Sequence, residues 1–220
     1  MAIRKDGVDT YRKLLKAASE VFAEKGYRDT TVAEICRRAH SNVAAVNYHF
    51  DSKDELYIAV LKNAFGEALR VYPPDGGLPA EAPAEERLGA LIHSVLHRIL
   101  DDGRLGCAGQ ILLREMADPI ETFRRVHEDI VRPLREIMLG IIRDLIGPDA
   151  TEQQIVFCVM SVIHQCLAIG FRKGRGHLPS FLDSPQSTTE TIDALAEHIT
   201  LFSLAGLSAV REKIEAAFSS

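Results

Sequence analysis

The chain has 220 residues, carries 26 Lys/Arg against 31 Asp/Glu for a formal net charge of −5, and is 46% hydrophobic. It is long and apolar enough for a sizeable core in one or two domains, and too acidic for a protein that holds nucleic acid by bulk positive charge. The opening residues, MAIRKDGVDTYRKLL, contain no apolar export segment, and the most apolar window, 155–171, is short for a bilayer and interrupted by His164 and Gln165; the expectation is a cytoplasmic protein with no membrane partner.

In chain order, Asp9 can cap a helix over residues 10–25, with Tyr11, Leu14, Leu15, Ala18, Val21 and Phe22 at helical spacing and Gly26 ending it. Thr31 and Glu34 have capping-box spacing, so a second helix is predicted over 32–39, burying Val32, Ile35, Cys36 and Ala39. His40, Ser41 and Asn42 make a turn, and Asn42 can cap a third helix over 43–49. There Val46 and Phe50 share one side while Val43, Ala44, Asn47 and Tyr48 point elsewhere. Ser52 and Glu55 form another capping box, starting a fourth helix from Lys53 to about Val71. A compact, small and polar outward face between two capped helices suits a groove of DNA, with Asn47, Tyr48, His49 and Lys53 able to hold phosphates. A pair of packed short helices in an ordinary all-α domain is the structural alternative.

This stretch resembles the N-terminal domain of TetR/AcrR-type transcriptional regulators, whose pattern runs A-G-V-S-x-G-x-L-Y-x-H-F-x-S-K-x-x-L. Here it reads Ala39-His40-Ser41-Asn42-Val43-Ala44-Ala45-Val46-Asn47-Tyr48-His49-Phe50, then Ser52-Lys53 and Leu56. The departures are His40 at the turn glycine, Ser41 at an apolar position, and Asn47 where Tyr is commoner; His tolerates the left-handed backbone such a turn demands. The A-A-V-N-Y-H-F wording is similar to one subgroup of the family. The resemblance implies an all-α chain: a three-helix helix-turn-helix DNA-binding domain over residues 1–51, a connecting helix over 52–71, and an effector-binding and dimerisation bundle over 72–220. Its implied DNA contacts are Thr31, Asn42, Val43, Ala44, Asn47, Tyr48, His49 and Lys53. The charge distribution is consistent: residues 1–63 hold 11 Lys/Arg against 9 Asp/Glu, and the remainder 15 against 22.

Residues 72–83 contain four prolines and two glycines and read as a boundary or loop. Beyond them helices are predicted at about 84–102, 106–117, 120–147, 152–173 and 189–218, with Pro133 kinking the third of these, 174–187 forming a loop, and Thr151 and Ser187 opening capping boxes. The 152–173 helix has two apolar stripes: Val156, Val159, Met160, Ile163, Leu167 and Phe171, and Ile155, Cys158, Val162, Cys166 and Ile169. A helix apolar nearly all round must be covered twice, so one stripe is expected in the chain's own core and one against a second copy. Ile155, Val162, Cys166, Ile169, Ile199, Phe202 and Gly206 are the expected homodimer residues, although both helices could also be core of a monomer.

Polar residues on these apolar helices, His93, His97, Gln110, Arg114, His127, Ser161, His164 and Gln165, are candidates for a small-molecule effector site; each would equally suit a satisfied core or surface position. His93 and His97 have the i, i+4 spacing of a helical metal pair that His127 or His164 could complete, but no pattern fixes a third ligand, so no metal and no cofactor are assigned. The cysteines Cys36, Cys107, Cys158 and Cys166 show no C-x-x-C and read as reduced packing residues. No G-x-S-x-G, paired carboxylate or metal signature supports an enzyme. The expected function is a ligand-responsive transcriptional repressor, a homodimer on palindromic operator DNA that a small molecule releases; the competing class is a helical metal-binding protein or metalloenzyme built on His93 and His97.

Overall fold

The computed structural model describes residues 5–100, 106–117, 119–174, 176 and 189–218. Nine helices lie among them: α1 (Lys5–Asp29), α2 (Val32–Arg38), α3 (Val43–Phe50), α4 (Lys53–Val71), α5 (Ala84–Leu100), α6 (Gly106–Ala117), α7 (Glu121–Ile146), α8 (Glu152–Gly174) and α9 (Thr189–Phe218). The Ser187 capping box, Pro185, and most of the loop expected over 174–187 fall outside the described residues, as does the side chain of Cys107.

Most boundaries follow local chemistry. Thr31 Oγ1 accepts from Glu34 N at 3.2 Å, Asn42 Oδ1 from Ala45 N at 2.9 Å, and Ser52 Oγ from Glu55 N at 3.1 Å. Each satisfies an amide that a helix start leaves without a partner. Two expectations at the start need correction. Asp9 does not cap α1, which begins before it; the carboxylate instead pairs with Lys13 one turn on, at 2.6 Å. Glu34 does not close its capping box, because its carboxylate is drawn to Lys25 Nζ at 2.5 Å. Gly26 does end the regular part of α1, with φ of +78°, and His40 takes the left-handed backbone of the turn with φ of +49°. Helix α7 runs through Pro133 as one helix.

The chain packs as two compact units, one of residues 1–68 with 103–130, the other of 69–102 with 131–220. Helix α6 packs on α1 and so falls in the first unit with the N-terminal helices. In the first unit Leu14, Ala18, Val21, Phe22, Ile35, Leu56, Tyr57 and Leu61 are fully buried, and each large side chain among them contributes about 1.5–3 kcal/mol by leaving water. Tyr57 sits at its centre. Its ring meets Phe22 edge-on at 4.7 Å and Tyr27 at 5.0 Å, and its hydroxyl donates to buried Glu115 on α6 at 2.6 Å. The other Glu115 oxygen accepts from Ile120 N at 3.0 Å, at the entrance to α7. Beside it, Asp54 accepts from the Tyr27 hydroxyl and from Thr122 Oγ1. Burial first, and the Asp54 carboxylate second, push the Tyr27 phenol up to about 12.

In the second unit α5 packs along α9 and α8, and Leu88, Leu91, Ile92 and Leu96 of α5 and Ile142 and Ile146 of α7 are buried. The Pro/Gly segment closes in turns, with Gly76 N on Pro73 O and Leu78 N on Asp75 O, and Ser94 Oγ on α5 donates to Tyr72 O at 2.7 Å. Helix α8 is long and apolar enough to cross a membrane by length and composition, with 33% of its most apolar window buried. Its free cysteines, Cys158 and Cys166, are both buried, and burial raises both thiols, Cys166 to about 12.

Replacing Tyr57 by Phe keeps the ring and removes only the donor to Glu115. Leaving that buried oxygen unpaired is expected to cost about 1–3 kcal/mol in denaturant unfolding; a midpoint shift within error of wild type would show that the bond contributes nothing.

Candidate nucleic-acid interface

The reading surface is assembled by anchoring one side of α3 and leaving the other free. Val46 and Phe50 are buried, and Phe50 stacks on Tyr11 of α1 at 4.9 Å with ring planes 23° apart. The helix is only eight residues long, too short to hold its shape in water without such contacts. Its outward side presents Val43, Ala44, Asn47 and Tyr48, all exposed, with the Tyr48 ring 82% exposed and edge-on to His49. His49 is half-buried, and its ring also meets Tyr11 at 5.8 Å. Tyr48 is a large aromatic held by little of its own chain, on a helix whose other side is fully engaged.

The flanking polar residues keep donors available. Thr31 is exposed; its Oγ1 is occupied as an acceptor by the cap of α2, which leaves the hydroxyl proton free to donate to a phosphate. Asn42 likewise uses its carbonyl oxygen on Ala45 N and retains its amide donors. Lys53 opens α4 with Nζ 4.2 Å above the Tyr27 ring centroid. Burial lowers its ammonium, and Asp54 and Asp29 partly offset that. One further cation escaped the sequence reading: Arg37 in the last turn of α2 has a side chain 80% exposed and only a 3.9 Å approach to Glu34. Its neighbour Arg38 is spent on Glu24 of α1, in a two-pronged pair at 2.6 and 2.9 Å. The Arg-Arg pair in the last turn of α2 was the available signal, but which of the two would be paired depended on α1.

The expected effector residues do not converge on one site. His93 and His97 come together, with ring centroids 4.1 Å apart. Asp193 of α9 joins them, its Oδ1 2.9 Å from His93 Nε2 and 2.7 Å from His97 Nε2. The third member of the cluster is therefore Asp193, not His127 or His164. His127 lies in the first unit beside Phe123 and Glu128, and His164 is exposed on α8. Gln110 and Arg114 also lie in the first unit, both exposed; Arg114 Nη2 donates to Glu24 O at 3.4 Å. Ser161 is exposed and its hydroxyl returns to Phe157 O, while Gln165 bonds Ser161 O and Ser203 Oγ. The Ser161 bond stays within one turn of α8, whereas Gln165 also reaches buried Ser203 of α9.

The expected dimer residues also need correction. Ile155, Val162, Cys166 and Ile199 are each at most 3% exposed within the chain itself, so they have no surface left for a second copy. Ile169 is half-buried, whereas Phe202 and Gly206 are exposed. The uncovered apolar side of α8 and α9 instead carries Phe157, Met160, Leu201 and Phe202, of which Leu201 is 70% exposed. The stripe assigned outward is the buried one, and the outward side carries Phe157 together with Met160 from the other stripe.

A helix-turn-helix anchored on one side and free on the other, in a chain whose second unit is also helical, is the arrangement of a helix-turn-helix DNA-binding regulator. Residues 14–60 match the model of the bacterial regulatory proteins of the TetR family, and residues 84–207 match the C-terminal domain of the HTH-type transcriptional dual regulator CecR. The chain belongs to the TetR family of transcriptional regulators, with a C-terminal half of the CecR type; the proteins of this family are not enzymes. It is 26% identical to the CecR dual regulator of Shigella flexneri over 178 residues, covering 77% of this chain and 78% of that one. It is 25% identical to the fatty acid metabolism regulator protein of Bacillus subtilis over 134 residues, 61% of this chain and 66% of that one. Among solved structures, FadR from Bacillus subtilis in complex with stearoyl-CoA superposes with a TM-score of 0.65 at 19% identity, over 89% of this chain and 98% of that one.

Asn42→Ala removes the cap of the recognition helix and is expected to cost about 1 kcal/mol. Amide exchange should accelerate at Ala45 and not at Glu34, whose cap is Thr31; equal acceleration at both would mean that the caps do not act locally.

Proposed function

We propose that this chain is a repressor that binds palindromic operator DNA as a homodimer in the cytoplasm and leaves it when a small molecule binds the C-terminal bundle. The observation that carries this reading is the free face of α3, Val43, Ala44, Asn47 and Tyr48, on a helix otherwise locked by Val46, Phe50 and the Asn42 cap. Val43, Ala44 and Asn47 face the base edges; Thr31, Asn42, Tyr48, His49 and Lys53 hold phosphates, with Arg37 as an added contact. Residues 1–51 serve as the reading head, 52–71 as the connector, and 72–220 supply the effector and dimer surfaces. The A-A-V-N-Y-H-F wording of α3 supports assignment to the subgroup that shares it.

The dimer surface is the exposed apolar side of α8 and α9, with Phe157, Met160, Leu201, Phe202 and Gly206 against their equivalents. Water-exposed aromatics on two neighbouring helices support a covered face, and a two-fold pairing sets two α3 helices on successive major grooves. Because a structural relative was crystallised with stearoyl-CoA, fatty acyl thioesters are the first effector class to test. The effector acts by binding better to a bundle shape that the DNA-bound dimer does not adopt. Within the first unit, the Tyr57–Glu115 and Asp54–Thr122 bonds tie α4 to α6 and the start of α7, so displacement of either moves the reading head.

Selection from a random duplex pool at near-physiological salt should return a palindrome. Lys53→Ala should then weaken binding to all sequences and reduce the slope of log affinity against log salt by about 1, while Asn47→Ala should change the preferred bases. No enrichment, or an Asn47 variant with unaltered preference, would remove the operator reading or Asn47 from it. Leu201→Asp should shift the chain from dimer to monomer in sedimentation at micromolar concentration while leaving its helical content intact; an unchanged dimer would place the interface elsewhere.

A further inference from the structure

We infer that His93, His97 and Asp193 form a binding site for one divalent transition-metal ion in the C-terminal unit. The site goes beyond the operator-binding function and implies no catalysis. One helical turn separates the two histidines, so both imidazoles leave the same side of α5. There they meet Asp193 of α9, and the three donor atoms lie within 4.8 Å of one another. Both Nε2 atoms converge on the same carboxylate oxygen, at 2.9 and 2.7 Å. A hydrogen-bonded tie between α5 and α9 requires only one imidazole; a second, with its ring 4.1 Å from the first, adds a donor that would repel its neighbour if both were protonated. A cation among them satisfies all three at once.

The donor set selects the ion class. Two imidazoles and a carboxylate suit zinc, ferrous iron, divalent copper and their neighbours, whereas magnesium and calcium prefer all-oxygen shells and monovalent copper prefers sulfur. Bonds of about 2.0–2.2 Å place adjacent donors on a tetrahedral ion roughly 3.4 Å apart. The present nitrogen-to-oxygen separations therefore need to widen by about half an ångström, which a small rotation of the Asp193 side chain supplies. That side chain and His93 are each 46% exposed, so the ion has an entry path and a fourth position open to water or a ligand group. His97 is only 4% exposed, with its ring stacked on Tyr72 at 4.9 Å, which fixes one donor rigidly. An ion would displace the Nε2 protons, and binding would weaken as the solution is acidified.

The test is calorimetric titration of the full, tag-free chain with Zn²⁺ after chelator stripping, together with the visible spectrum of the Co²⁺ form. One Zn²⁺ per chain is expected, with Co²⁺ absorption of the intensity given by four or five ligands. His93→Gln and Asp193→Asn, each checked for retained helical content, should weaken binding by about 100-fold or more, while His198→Gln on the exposed part of α9 should not. Absence of saturable Zn²⁺ binding at one per chain in the wild type overturns the site whatever the variants do, and so does binding that persists in both ligand variants. DNA selection reads a different unit, so either result leaves the operator proposal to be judged on its own assay.

Discussion

The N-terminal unit depends on the burial of Tyr57 more than on any other side chain. One residue of α4 packs against Phe22 and Tyr27 from α1 and hydrogen-bonds Glu115 of α6, and Glu115 in turn receives the first free amide before α7. A buried carboxylate is costly unless its oxygens have donors, and here each has one. The helices are thus tied by a network that is either complete or missing a buried partner, with little between. Packed, hydrogen-bonded elements of that kind pass between discrete states and do not deform gradually.

The recognition helix shows the complementary strategy. Eight residues cannot sustain a helix alone, so rigidity is imported: Asn42 caps one end, Val46 and Phe50 bury one side, and Tyr11 stacks on Phe50. None of these residues is needed to touch a base. The outward residues are in consequence free of structural duty. The turn before the helix accepts a histidine in place of glycine because His40 carries the left-handed φ that the geometry demands.

In the C-terminal unit the same helices serve two surfaces. Helix α8 commits Ile155, Cys158, Val162 and Cys166 to its own core and turns Phe157 and Met160 to solvent. Helix α9 buries Ala196, Ile199 and Leu207 while exposing Leu201 and Phe202. Its first turns also deliver Asp193 to the histidines of α5, so one helix links a candidate ion site to the apolar face proposed for pairing. Occupancy of the first and geometry of the second share a rigid element.

The sequence by itself determined the helices, their caps and the reading motif, because those are local. Thr31, Asn42 and Ser52 each mark a helix start through a bond to an amide three residues away, and helical periodicity marks what must be buried. The family resemblance lay in the same short stretch, 39–56, so the class of function was legible there too. Periodicity established that α8 has two apolar stripes, but not which neighbour each would meet, since that depends on where α5 and α9 pass. For the same reason Ile155, Val162, Cys166 and Ile199 were placed outward when the fold buries them. Glu34 turned to Lys25, α6 joined the N-terminal unit, and Asp193 reached His93 across a hundred residues of chain. Only the tertiary structure decided these, because each is a contact between residues far apart in sequence, set by packing and charge once the helices have met.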